Sequence, residues 1–292
     1  MRFLKRKHRS TALRLCVALA MILLALTGCY TATPSASTAT DAAENSHPRI
    51  ALTAADMETA CEMPSHIDLN QIDENVYLIT QPGCYILSGE MNGTIQIDVE
   101  DQLIHLVLDG VTIDSPYGPA LEVLSAGKLF ITLKEGTENY LSDAGAYSET
   151  PDADACIYSP CDMTLNGSGS LHVYGYYKDA VHSKDVLKVL GGNLFVQSKR
   201  DGLRGNDGIV INCESVMVQS EGNGIYSTKT GKETKGNIEI YDTVCSVIGG
   251  NYAISCSSDL YIADSDIYAM GILSNIKVDG VSRIEEGNLQ NE

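Results

Sequence analysis

The sequence predicts an all-β chain folded as a right-handed, single-stranded parallel β-helix, and three observations carry that prediction. A pattern of about 22 residues recurs, a spacing that marks solenoids: residues 179–198 (DAVHSKDVLKVLGGNLFVQS) align without a gap on residues 201–220 (DGLRGNDGIVINCESVMVQS). Apolar positions then coincide: Val181 with Leu203, Leu187 with Ile209, Val189 with Ile211, Leu194 with Val216, Val196 with Val218. Within each repeat the alternation is by twos, in short stretches bounded by Gly, Asn and Asp, which describes strands and not helices. Leucine-rich repeats share the period but need a Leu/Asn consensus that is missing here. Each repeat can bury its apolar face only against its neighbours, so the coils must stack.

The elements follow in order. Arg2, Lys5, Arg6, Lys7, Arg9 and Arg14 precede an apolar stretch, Leu15 to Leu26, which ends in Leu26-Thr27-Gly28-Cys29. That arrangement predicts a lipoprotein signal over residues 1–28, with Cys29 as the lipidated residue. Residues 29–66 open on Thr, Ala and Ser with no apolar period and are assigned as a polar tether, with a short helix expected at 53–62. The β-helix is placed at 67–280 and a solvated tail at 281–292. Strand-like segments at 76–87 and 94–113 form the first coils and a cap over the open edge. The same apolar frame runs through Leu121, Leu129, Ile131, Ile157, Met163, Leu165, Leu171 and Val173, then through Ile225, Ile238, Ile240, Cys245 and Val247. Gly191-Gly192 and the Asn-Gly steps at 166 and 223 supply corners with positive φ. Insertions at 135–155 and 228–236 interrupt two coils.

Charge excludes some partners. The chain holds 20 Lys and Arg against 38 Asp and Glu, and the signal removes only basic residues. A mature chain near −24 disfavours nucleic acid and anionic lipid, so its expected membrane contact is the lipid anchor alone. Cysteine usage leaves pairing open. Cys61 with Cys84, or Cys156 with Cys161, can pair in an oxidising compartment, whereas Cys245 reads as a small core residue. No zinc spacing and no nucleophile or phosphate-loop motif occurs.

The run GPALEVLSAGKLFITLKEGTENYLSD at 118–143, the run IYSPCDMTLNGSGSLHVYG at 157–175 and the two coils after it resemble the carbohydrate-binding β-helix family. The resemblance covers about Val76 to Gly271. It implies a secreted or lipid-anchored parallel β-helix that binds acidic pectic polysaccharide, with calcium in the fold and a shape similar to pectate lyases. Where that family repeats Asp-Asp-Gly corners, this chain has Arg200-Asp201-Gly202, Asn223-Gly224 and Asn251-Tyr252.

Alternation points His182 outward and places Tyr158, His182, Arg204 and Tyr226 in one exposed column, about 14 Å long at the usual strand spacing. Tyr faces can stack on sugar rings and Arg204 can clasp a uronate; an ordinary solvated face is the competing description. A second outward column, His172, Phe195, Met217, Ser246 and Tyr268, is expected to pack under a loop. Asp179 with Asp201, and Asp185 with Asp207, form carboxylate ladders that could hold calcium or simply cap corners.

The prediction is a lipid-anchored extracytoplasmic protein at the cell surface. It binds polysaccharide such as polygalacturonate without cleaving it, with calcium as candidate cofactor and no catalytic residue assigned. A pectate-lyase-like lyase or hydrolase, and a surface adhesion module, are the competing functions.

Overall fold

The computed structural model describes residues 49–147, 152–231, 234–285 and 289–290. The signal, Cys29 and the first part of the assigned tether lie outside the described residues, as do 148–151 and 232–233 within the two insertions.

The chain winds as a parallel β-helix with three faces. In a middle coil, Asp179–Ser183 lies on the first face, Val186–Leu190 on the second and Asn193–Ser198 on the third. The next coil repeats this with Leu203–Gly205, Gly208–Ile211 and Ser215–Ser220, each paired in parallel with its predecessor. Among the described residues the first face is a sheet of nine strands, and the other two faces join into one of 17. They join because Gly83–Met91 and Leu103–Asp114 run through the corner as single bent strands. Gly89, at φ 90°, and Gly110, at φ 72°, make those bends, and at the second a side chain stands in for the missing ladder: Asn139 Oδ1 accepts from Gly110 N and Val111 N, both at 3.0 Å.

The predicted apolar pairs are register partners throughout, for example Ile157 with Val181, Val181 with Leu203 and Leu203 with Ile225. All four are fully buried. Each such side chain contributes about 1.5–3 kcal/mol, so the stacked columns supply the drive to fold. Gly167, Gly191 and Gly192 have positive φ, as the corners require. Gly224 does not; it is glycine because a Cβ there would lie 2.1 Å from Val247 Cγ1 and 2.6 Å from Ala253 O.

The boundaries differ from those read off composition. Residues assigned to the tether belong to the folded body: Ile50 packs with Leu190 and Val210, and its N–H donates to Glu239 Oε1 at 2.6 Å. The expected helix is a single 3-10 turn, Ala54–Met57, which delivers Asp56 to Lys128, Lys188 and Thr164. Asp56 is fully buried. Burial alone would raise its carboxyl, but those partners and Thr53 N hold it well below the usual carboxylate range. This stretch thus crosses the second face with Ile50 packed on it and its buried carboxylate met by two lysines. Cys61 and Cys84 form a disulfide, whereas Cys156 and Cys161 are free and buried. Ser65–Asp68 pairs with Gly83–Met91 at the N-terminal end. At the other end the expected tail adds Ser282–Ile284 and Leu289–Gln290 to the second and third faces.

Candidate functional site

On the first face Tyr158, His182, Arg204 and Tyr226 are successive register partners, as the repeat predicts. Their exposure is not as predicted. Tyr158 and His182 are each only 3% exposed, while Arg204 and Tyr226 are half-buried. The first insertion covers both: Tyr158 packs with Ala153, Ala155 and Tyr147, and the Asp154 carboxylate reaches across to His182. His182 Nδ1 donates to Asp154 Oδ1 at 2.5 Å, and the other ring nitrogen lies 3.3 Å from Asn206 Oδ1. Arg204 Nε donates to the same Asn206 oxygen at 3.1 Å, and its Nη1 is 3.5 Å from Asp179 Oδ2 and 3.7 Å from Asp154. The guanidinium also stands 5.8 Å from the Tyr226 ring centre.

Arg200 completes the cluster. It bridges Asp154 and Asp179, taking both oxygens of Asp179. Burial would raise Asp154, but His182 and Arg200 outweigh it and hold the carboxyl well below its ordinary range. Neither Asp154 nor Arg200 was legible as a site residue. Asp154 sits in an insertion without period, and Arg200 falls between the aligned repeats.

The four predicted calcium ligands do not assemble as a calcium site. Asp179 is fully buried and spent on Arg200, Arg204 and the Asp201 N–H at 2.9 Å. Asp201 Oδ1 accepts from Asn223 N and Nδ2, at 2.8 and 2.9 Å, so this pair caps corners. Burial raises the Asp201 carboxyl and the charge of Asp179 adds to the effect. Asp207 is held by Lys229 and Lys235, both from the second insertion. Asp185 is raised by burial and then by the charges of Asp207 and Asp162. Asp154, Asp179 and His182 do bring three ligand atoms within 4.8 Å of one another, a group that could hold a metal ion. In that group the Arg200 guanidinium fills the cation's place, so calcium does not fit these residues as they stand.

The second outward column is present in register, with Tyr140 preceding it: Tyr140, His172, Phe195, Met217, Ser246, Tyr268. It is not packed under a loop by the described residues. Met217 is 53% exposed, and His172, Phe195 and Tyr268 are half-buried. The rings pile along the axis, Tyr140 on His172 at 4.5 Å and His172 on Phe195 at 4.6 Å, tilted by only 14° and 9°.

Residues 73–283 match the family described as carbohydrate-binding domain-containing protein. The chain belongs to that family. A family relative from Acetivibrio thermocellus, itself described as a carbohydrate-binding domain-containing protein, is 36% identical over 139 residues. That alignment takes in 46% of this chain and 49% of the relative, so the chain spans about half the length of the curated relative it matches. A solved structure described as the polysaccharide lyase-like protein from C. thermocellum, in a gadolinium derivative, superposes with a TM-score of 0.73 at 28% identity. It covers 77% of this chain and 98% of its own. The β-helix is therefore a carbohydrate-binding domain of polysaccharide lyase-like fold.

Proposed function

We propose that this chain is a lipid-anchored extracytoplasmic protein that holds an acidic, pectic polysaccharide without cleaving it. The observation that carries the reading is the state of the first face in a family of carbohydrate binders. Tyr158 and His182 are sealed, while Arg204 and Tyr226 stay half-buried at the edge of the column, Arg204 at 3.5 and 3.7 Å from Asp179 and Asp154. A half-buried tyrosine with an arginine beside it suits a sugar ring and its uronate, because the ring stacks and the guanidinium donates to the carboxylate. Two groups that could remove a proton are engaged, which supports binding over cleavage: His182 is buried against Asp154, and Arg200 is bound to two carboxylates. The Cys61–Cys84 disulfide supports an oxidising location outside the cytoplasm. The signal and Cys29 in their sequence context support the lipid anchor.

Retention of the chain, truncated after the leader but keeping every described residue, on cross-linked polygalacturonate tests this reading. Binding that weakens in Arg204→Ala is expected, measured both with calcium and with a chelator. Release of unsaturated oligosaccharide during the assay would replace the reading with a lyase. Labelled palmitate incorporated by the wild type and not by Cys29→Ser tests the anchor.

A further inference from the structure

The third face carries an uncharged notch that no sequence motif marks. Phe195 ends the pile of rings: one of its faces lies on His172, and the next positions in the column are Met217 and the small Ser246. Beyond Phe195 the column continues with the flexible, exposed Met217 and then steps down to Ser246, so the cavity lies beside Phe195 and over Met217. The adjoining outward column, two residues further along each strand, holds Gln197, Gln219 and Ile248 as register partners. Together these residues enclose a cavity of about 280 Å³ with no Asp, Glu, Lys or Arg in its lining. That volume sits at the small end of ligand pockets, about 300 Å³ and upward. On a chain with 38 acidic residues, such a lining is set apart from the surrounding surface.

The chemistry selects one occupant. A flat aromatic face and a thioether suit the C–H surface of a sugar ring, while the exposed Gln197 and Gln219 amides offer donors and acceptors to hydroxyls. A uronate would bring a carboxylate with no Lys or Arg in the lining to meet it, and burying an unpaired charge is costly. From Phe195 to Tyr268 the column spans about 14 Å, so a chain lying along the axis could continue past the notch onto the Tyr268 ring.

We propose that this notch binds an uncharged sugar ring of a glycan chain, a second subsite on a different face from Arg204. The inference rests on the reading that the protein binds carbohydrate. Its test is retention on insoluble uncharged glycans (xylan, mannan and a β-glucan) alongside polygalacturonate, for the wild type, Phe195→Ala and Gln219→Ala.

Retention of the wild type on at least one uncharged glycan is expected, about tenfold weaker in Phe195→Ala and reduced in Gln219→Ala. Phe195→Trp adds a readout independent of retention, because the chain has no other tryptophan. Its emission should shift when the soluble oligosaccharide of the retained glycan is added. Retention unchanged in both alanine variants, or an emission spectrum that ignores the oligosaccharide, overturns the notch. Retention on polygalacturonate alone overturns it while leaving the carbohydrate reading in place. No retention on any glycan removes both.

Discussion

Arg200 donates through Nε and Nη2 to the two oxygens of Asp179, at 2.5 and 2.6 Å, in the forked geometry that a guanidinium and a carboxylate share. Asp179 is fully buried, so this pair neutralises the corner.

Arg200→Ala should therefore destabilise the protein by about 3–5 kcal/mol, because it strands a buried carboxylate beside Asp154. It also vacates the position between two carboxylates, so calcium should raise the thermal midpoint of the variant and leave the wild type unmoved. Thermal melts with calcium and with chelator check this; an equal calcium response in the wild type would show that an ion binds without displacing Arg200.

Asp56 ties the segment at 49–58 to the second face through Lys128 and Lys188. Asp56→Asn should cost about 3–5 kcal/mol, since both lysines lose the charge they face. The folded carboxyl is depressed, so its contribution is present above the unfolded value near 3.9 and is lost as pH falls through the depressed one. Hydrogen exchange across Ile50 to Glu58 should speed up in the variant at neutral pH.

Asp143 gives the opposite dependence. Burial pushes its carboxyl up to about 6 despite bonds from Tyr147 and Tyr176 N. Between the unfolded value near 3.9 and 6 the folded state holds a proton that the unfolded state has lost, so stability from this group falls as pH rises through that window. The window is worth at most about 3 kcal/mol. Unfolding of Asp143→Asn should lack this component, which a comparison of midpoints at pH 4.5 and 7 with the wild type would reveal.

The Cys61–Cys84 disulfide closes a loop with a sequence separation of 23. Chain entropy assigns such a loop about 3 kcal/mol. The double variant Cys61→Ser, Cys84→Ser should melt lower by that measure, and reductant should lower the wild type to match it.

The repeat was legible because a β-helix writes its fold as coincidence in sequence. Val181, Leu203 and Ile225 are buried on one another, and stacking coil on coil is what turns a 22-residue spacing into apolar contact. The outward columns were legible for the same reason, since alternation by twos and stacked register place Tyr158 beside His182 and His172 beside Phe195. What covers a column is not periodic. Asp154 arrives from an insertion and buries His182, while the stretch before Met57, without period, lies across the second face.

By itself, then, the sequence determined the solenoid, its core positions and the order of side chains along each outward face, because each depends only on a local repeat. The tertiary structure decided which of those faces is sealed and which is open. It also decided that arginine and lysine meet the buried carboxylates of Asp179 and Asp56. Those outcomes depend on groups far apart in the chain, such as Asp56 and Lys188, whose meeting no spacing records but whose charges, once buried, must be matched.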